Sequence, residues 1–72
     1  MQATFFQFIM KHVNHSAKDP LSRLANTIHQ DPSFPKHTHD FDDISRYMEQ
    51  SSMYTKLMPI FDEAWTKYQY EA

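Results

Sequence analysis

The stretch from Asp31 to Glu49, DPSFPKHTHDFDDISRYME, decides how this chain folds, because it holds two prolines, a histidine-rich connector and the start of a helix. Pro32 and Pro35 lack backbone N–H donors and push the residues before them out of the helical region, so no helix runs through this connector. Asp40 is predicted to cap a helix that begins at Phe41. The chain is therefore expected to turn back on itself between two helices.

Outward from this corner, apolar spacing and capping signals predict helices and no strand. Asp19-Pro20 is a helix start, and the apolar residues after it follow the i, i+3, i+4, i+7 spacing at Leu21, Leu24, Ala25 and Ile28. The predicted helices are 4–14, 20–30, 41–50, a short one at 53–57, and 59–70, the last beginning at Pro59. They predict one domain over residues 1–72, an all-α, compact four- to five-helix orthogonal bundle.

Aromatic residues are expected to fill much of the core, because a chain of 72 residues has little interior. Trp65, the single tryptophan, is expected at its centre. The predicted core residues are Phe5, Ile9, Leu24, Ile28, Phe34, Phe41, Ile44, Phe61, Trp65 and Tyr68. Tyr54 and Tyr70 lie outside the apolar stripes and are expected on a contact surface.

The first predicted helix is apolar around about 200° of its circumference, which is more than a surface helix needs. Two explanations stay open at this point. Either later helices bury this helix on two sides, or Phe8 or Met10 remains exposed for a partner.

Composition excludes several classes of functional site. The sequence has no cysteine, which removes thiolate zinc sites and cysteine nucleophiles, and no glycine, which removes the P-loop, the dinucleotide-binding motif and the nucleophile elbow. The first residues do not resemble a signal peptide, and no segment has the roughly 20 apolar residues that span a bilayer. We therefore expect a cytoplasmic, non-catalytic protein that needs no cofactor.

The histidine-rich connector is the strongest candidate for a metal site, through His37-x-His39-Asp40. Imidazoles and carboxylates bind divalent ions, but no second cluster of fixed spacing completes a tetrahedral shell. We therefore expect His37 and His39 to be solvent-exposed loop residues without a metal, and Asp40 to act as a helix cap.

Charge is distributed unevenly along a chain whose formal net charge is −2. Residues 1–39 carry four Lys or Arg side chains and two carboxylates, whereas residues 40–72 carry three and seven. This asymmetry favours a protein-interaction module, with an unknown protein partner or weak self-association. The predicted interaction surface pairs basic with acidic residues: Lys18, Arg23 and Lys36 with Asp42, Asp43 and Glu49.

Nucleic-acid binding is the alternative function. It would use a basic patch made of Lys11, Lys18, Arg23 and Lys36 to bind RNA or DNA weakly. We favour it less, because the cations are scattered along an acidic protein and the helix at Phe41 begins with carboxylates that repel phosphate.

Several motifs resemble those of a known family. The strings Phe34-Pro35-Lys36, Ile44-Ser45-Arg46-Tyr47 and Phe61-Asp62-Glu63-Ala64-Trp65, with Asp40, Tyr68, Ala25-Asn26 and the Phe-rich first helix, resemble the YozE-like family of small uncharacterised proteins from Gram-positive bacteria. The resemblance implies a five-helix fold similar to sterile alpha motif domains, which mostly bind other proteins, often themselves, and sometimes RNA. It implies no catalytic residue.

Overall fold

Four α-helices and one 3-10 helix make up the fold. The computed structural model describes residues 3–71, in which the elements are α1 (Phe5–Met10), α2 (Pro20–His29), α3 (Phe41–Glu49), the 3-10 helix Ser52–Leu57 and α4 (Met58–Glu71). No strand occurs in residues 3–71, and α4 packs against α1, α2 and α3. The described chain is therefore the all-α bundle that the sequence predicts. None of its helices has the combined length and apolar character that a bilayer crossing requires.

Helix α1 ends four residues before the predicted boundary at residue 14. After Met10, the next three backbone N–H groups bond three residues back, so the chain tightens into 3-10 turns. Asn14 then exchanges two hydrogen bonds of 3.0 Å with Asn26 of α2, its N–H donating to Asn26 Oδ1 and its carbonyl accepting from Asn26 Nδ2. These two hydrogen bonds hold the loop between α1 and α2 against α2, so Asn26 has a structural role.

The broad apolar arc of α1 is buried from two sides. A capping box starts the helix, because the N–H of Gln7 donates to Thr4 Oγ1 at 3.2 Å and the N–H of Thr4 donates to Gln7 Oε1 at 3.0 Å. The helix then lies against both α2 and α4. Phe8 is only 3% exposed, and Met10 is half-buried against the core. Of the two explanations for the arc, burial on two sides is the one that the structure supports.

The remaining boundaries lie within one residue of the predicted ones. The 3-10 helix begins at Ser52, and α4 begins at Met58, so Pro59 is the second helical residue and not the first. Proline is tolerated there because the first four N–H groups of a helix have no partner within the helix. Helices α2 and α3 end at His29 and Glu49.

Phe5 holds the centre of the core, where Trp65 was expected. Its ring lies 5.3 to 6.0 Å from those of Phe8, Phe61, Trp65 and Tyr68. The buried apolar residues of the described chain are Phe5, Phe8, Ile9, Leu24, Ala25, Ile28, Phe34, Ile44, Met48, Tyr54, Phe61, Ala64 and Tyr68.

The structure contradicts two of the predicted core positions. Phe41 is 36% exposed, and Trp65 is only partly buried. Phe41 is the first residue of α3. Trp65 lies beside the buried face of α4, whose buried residues are Phe61, Ala64 and Tyr68. Both rings therefore cover the edge of the core.

The backbone is free of left-handed residues. No residue in 3–71 has a positive φ angle, and the sequence contains no glycine. Helices α2 and α3 end in right-handed residues, Gln30 and Gln50, and their N-caps, Asp19 and Asp40, are extended residues whose side chains accept backbone N–H groups.

Candidate functional site

A buried carboxylate holds the corner between α2 and α3. Asp31 is 7% exposed, and its Oδ2 accepts hydrogen bonds from the Tyr47 hydroxyl at 2.6 Å and the Tyr54 hydroxyl at 2.8 Å. Its Oδ1 accepts the N–H of Ser33 at 3.0 Å. We call Asp31, Tyr47 and Tyr54 the Asp31 cluster. It joins the end of α2 to α3 and to the 3-10 helix, so this carboxylate stabilises the packing of the three elements.

The pKa values of the Asp31 cluster follow from this geometry. Burial by itself raises the pKa of Asp31, but the hydrogen bonds from Tyr47, Tyr54 and Ser33, with the nearby Lys36 charge, outweigh it and hold that pKa below 3.8. Burial and the Asp31 carboxylate raise the pKa of Tyr47 from 10.0 to about 12, and they also raise the pKa of Tyr54. The carboxylate is therefore ionised and the phenols are neutral at physiological pH.

Alkaline pH is expected to destabilise the protein through the Asp31 cluster. Because folding raises the pKa of Tyr47, its contribution to stability is complete below pH 10.0 and is lost as the pH rises towards about 12. The urea midpoint should therefore fall across this range. Tyr47→Phe should reduce the slope, whereas Tyr70→Phe, at a residue 87% exposed, should not. Equal slopes in the two variants would contradict this assignment.

Tyr54 corrects an expectation, since it was placed on a contact surface and is fully buried. The 3-10 helix advances about 120° per residue, so its side chains do not follow the α-helical stripe used to assign them. The sequence predicts no role for Asp31 beyond its position just after the helix 20–30. Its partners lie 16 and 23 residues further along the chain, and no local spacing connects them.

The histidine-rich connector fixes the start of α3 and contacts α4. His37 and His39 are exposed. Asp40 caps α3 by accepting the N–H of Asp42 at 3.0 Å. His39 Nδ1 lies 3.2 Å from the Tyr68 hydroxyl, which donates its proton to the Ala3 carbonyl, so His39 Nδ1 is the donor in this pair. Within residues 3–71, no three His, Asp or Glu side chains converge on a point where a metal could bind.

The acidic residues of the predicted interaction surface are all exposed, at different angles around α3. Asp42, Arg46 and Glu49 follow the i, i+4, i+7 spacing on the exposed side of α3, so an arginine lies between the two carboxylates. Asp43 lies about 100° around the helix from Asp42. Its carboxylate is 3.4 Å from the Thr38 hydroxyl.

The basic residues are also separated. The Lys36 ammonium lies 5.5 Å from the centre of the Phe6 ring, so this cation is used in an intramolecular cation–π contact. Lys11 lies about 140° from Phe6 around α1, on another side of the domain. Lys18 and Arg23 are exposed before and within α2.

A partly exposed aromatic pair, Phe41 and Trp65, lies where α3 meets α4. Phe41 stacks on the buried Phe61 ring with centroids 5.4 Å apart and meets Trp65 edge-on at 5.2 Å. Trp65 rests in turn on Phe5 and Tyr68. These contacts hold both partly exposed rings in fixed orientations.

Three carboxylates lie close in sequence to this aromatic pair. Asp40 and Asp42 flank Phe41 in sequence, and Asp62 precedes Trp65 by three residues on α4, which places it on the neighbouring helix surface. All three are exposed. We call Phe41, Trp65, Asp40, Asp42 and Asp62 the aromatic–acidic surface. Sequence reasoning missed it because it assigned both rings to the core.

An open groove of about 370 Å³ lies between the start of α2 and α4. Its lining residues are Asp19, Pro20, Leu21, Ile60, Glu63, Ala64 and Lys67. The N–H and side chain of Ser22 hold the pKa of Asp19 low, as expected for a helix cap. The charged lining residues are all exposed, so the groove lacks the desolvated groups that general acid–base catalysis uses.

Helix order and packing define a small all-α domain of the sterile alpha motif-like class. The family model described as YozE SAM-like fold matches residues 4–70. The chain therefore belongs to the YozE SAM-like family, which confirms the resemblance of its motifs.

Relatives from Gram-positive bacteria match along nearly their whole length. A UPF0346 protein of Limosilactobacillus reuteri (strain DSM 20016) is 44% identical over 68 residues, covering 94% of this chain and 93% of that protein. UPF0346 proteins of Lactococcus lactis subsp. cremoris (strain MG1363) and Bacillus cereus (strain B4264) are 42% and 44% identical, covering 90% and 94% of this chain and 94% of each relative. These names state no activity. No solved structure is significantly similar to the chain.

Proposed function

We propose that this protein is a non-catalytic, cytoplasmic protein-interaction module that binds a positively charged protein segment through its aromatic–acidic surface. The observation that supports the proposal is the Phe41–Trp65 pair, in which Phe41 is exposed and Trp65 is partly exposed. Aromatic rings held in fixed orientations bind partners at a low entropic cost, and they are common among the residues that dominate interface energies.

The surrounding carboxylates indicate the charge of the partner. Asp40, Asp42 and Asp62 flank the two rings, and no Lys or Arg occupies the positions next to Phe41 or Trp65 on α3 and α4. A cationic side chain lying over Trp65 would gain from the ring face and from the carboxylates together. The acidic half of the chain therefore contributes to binding as a rim around an aromatic centre.

Trp65 provides a direct test, because it is the only tryptophan in the sequence. A hexa-arginine peptide is expected to change Trp65 fluorescence at low salt, and a neutral peptide of equal length is not. The double variant Asp42→Asn/Asp62→Asn should weaken this binding about tenfold, as expected for losing two charge contacts of moderate strength.

A matched control separates this surface from the net charge of the protein. Glu63→Gln/Glu71→Gln removes two negative charges from exposed positions of α4 away from the aromatic pair. It is expected to weaken hexa-arginine binding far less than the Asp42/Asp62 variant. If both double variants lose the same affinity, or if Phe41→Ala binds like wild type, the aromatic–acidic surface is not the binding site.

A further inference from the structure

We propose that His15 and His29 together bind a divalent transition-metal ion such as Zn²⁺, between the loop that follows α1 and the end of α2. The inference is independent of the proposed function, because it uses no residue of the aromatic–acidic surface. Two observations support it: the imidazole rings of His15 and His29 lie in contact, and hydrogen bonds hold the two segments that carry them together.

The two imidazoles lie close to the separation that a shared ion requires. Their ring centroids are 5.9 Å apart, and the rings meet edge to face at 61°. A zinc–nitrogen bond is about 2.0 to 2.1 Å long, so two imidazoles bound to one tetrahedral zinc have ring centres about 5 Å apart. Both His15 and His29 are exposed, so rotation about their side-chain bonds can close the small remaining difference.

Hydrogen bonds outside the pair fix the backbone on both sides. His15 directly follows Asn14, and His29, the last residue of α2, lies three residues after Asn26. Asn14 and Asn26 exchange two hydrogen bonds of 3.0 Å, and the N–H of Ser16 donates to Asn14 Oδ1 at 3.0 Å. Because the loop is already held against α2, an ion that binds both rings has little further chain to order.

The other three histidines are less suited to share an ion. His39 Nδ1 is within 3.2 Å of the Tyr68 hydroxyl, and the His12 ring packs on that of Phe8 with centroids 5.2 Å apart. His37 is exposed in the connector, two residues before His39. Within residues 3–71, the proposed pair is therefore the one in which two histidine rings touch.

The ligand atoms indicate the class of ion. Imidazole nitrogens suit Zn²⁺, Cu²⁺ and Ni²⁺, whereas Mg²⁺ and Ca²⁺ prefer oxygen ligands. Within residues 3–71, no group of three His, Asp or Glu side chains is placed to hold an ion, so water would complete the coordination shell. Binding should therefore be weaker than at a structural zinc site with four protein ligands. The bound ion would join the loop to α2 and stabilise the folded chain.

Isothermal titration with ZnCl₂ tests the proposal, and MgCl₂ is the matched ion control. The wild-type protein is expected to bind zinc and not magnesium. His15→Gln and His29→Gln should each weaken zinc binding at least about tenfold, because the second imidazole then no longer reaches the same ion. The double variant His37→Gln/His39→Gln, which removes two imidazoles from the connector, should bind zinc like wild type.

Two further measurements locate the ion. In proton NMR spectra, zinc should shift the ring signals of His15 and His29 before those of the other histidines, with each signal assigned by its loss in the glutamine variant. Without zinc, all variants should melt like wild type, and zinc should raise the melting temperature of wild type more than that of His15→Gln. The proposal is wrong if wild type does not bind zinc, if His15→Gln and His29→Gln bind it normally, or if the connector variant loses as much affinity as they do.

Discussion

Asp31→Ala is expected to remove more than half of the protein's free energy of unfolding. The substitution removes the acceptor for two tyrosine hydroxyls and for the N–H of Ser33, and the Tyr54 side chain is fully buried. Leaving buried donors without partners costs about 1 to 3 kcal/mol each, so a total of about 3 kcal/mol or more is expected. A domain of this size has only about 5 kcal/mol to lose. Urea denaturation followed by circular dichroism measures the effect.

Two variants show whether the loss comes from the orphaned donors. Asp62→Ala removes an exposed carboxylate and should denature close to wild type. Adding Tyr54→Phe to Asp31→Ala should recover part of the stability, because the buried hydroxyl is then absent. A protein with Asp31→Ala that denatures at the wild-type urea concentration would show that the Asp31 cluster does not hold the corner.

Low pH is also expected to destabilise the protein, by protonating the Asp31 carboxylate. Folding lowers the pKa of Asp31 below 3.8, so its contribution to stability is complete above that value and disappears as the pH falls through the lower folded pKa. Wild-type stability should therefore decline with acid below about pH 4, and the Asp31→Ala protein should show a shallower decline.

Phe5→Ala is expected to cost about 3 to 5 kcal/mol, more than Trp65→Ala, although tryptophan is the larger residue. Phe5 is fully buried and touches four other rings, so its removal leaves a cavity that its neighbours cannot close. Trp65 is only partly buried, and water can enter the space that it leaves. Equilibrium denaturation of both variants gives the comparison.

The order of these two losses tests the position of the core. Phe5→Leu, which keeps most of the buried volume, should be clearly more stable than Phe5→Ala. If Trp65→Ala is the more destabilising change, the indole lies at the centre of the core. Trp65 would then not be available to a partner on the aromatic–acidic surface.

The helices could be predicted from the sequence because the signals that start and end them are local. Asp19-Pro20 and the apolar stripe that follows fix α2, and Asp40 with the two prolines before it fixes the start of α3. Such signals need only neighbouring residues, so the order of helices and all but one of their boundaries are close to the predicted ones. The boundary of α1 depends on Asn26, twelve residues away, and was wrong.

The candidate site depended on contacts that the sequence does not display. Burial of Phe41 is set by how far α3 extends over α4, and periodicity cannot distinguish the centre of a core from its edge. Periodicity also failed for Tyr54, because a 3-10 helix has a different angular step. The charged residues were predicted to act together as one surface. Helix geometry instead places Asp43 about 100° from Asp42 and places Arg46 between Asp42 and Glu49.

The absence of left-handed residues in 3–71 makes this chain well suited to systematic mutagenesis. At a position with positive φ, any replacement of glycine adds backbone strain to whatever the side chain contributes. Here a scan with alanine measures side-chain loss and helix propensity without that strain, position by position. Proline, whose ring restricts φ and whose N–H is missing, is a replacement that would still report on the main chain.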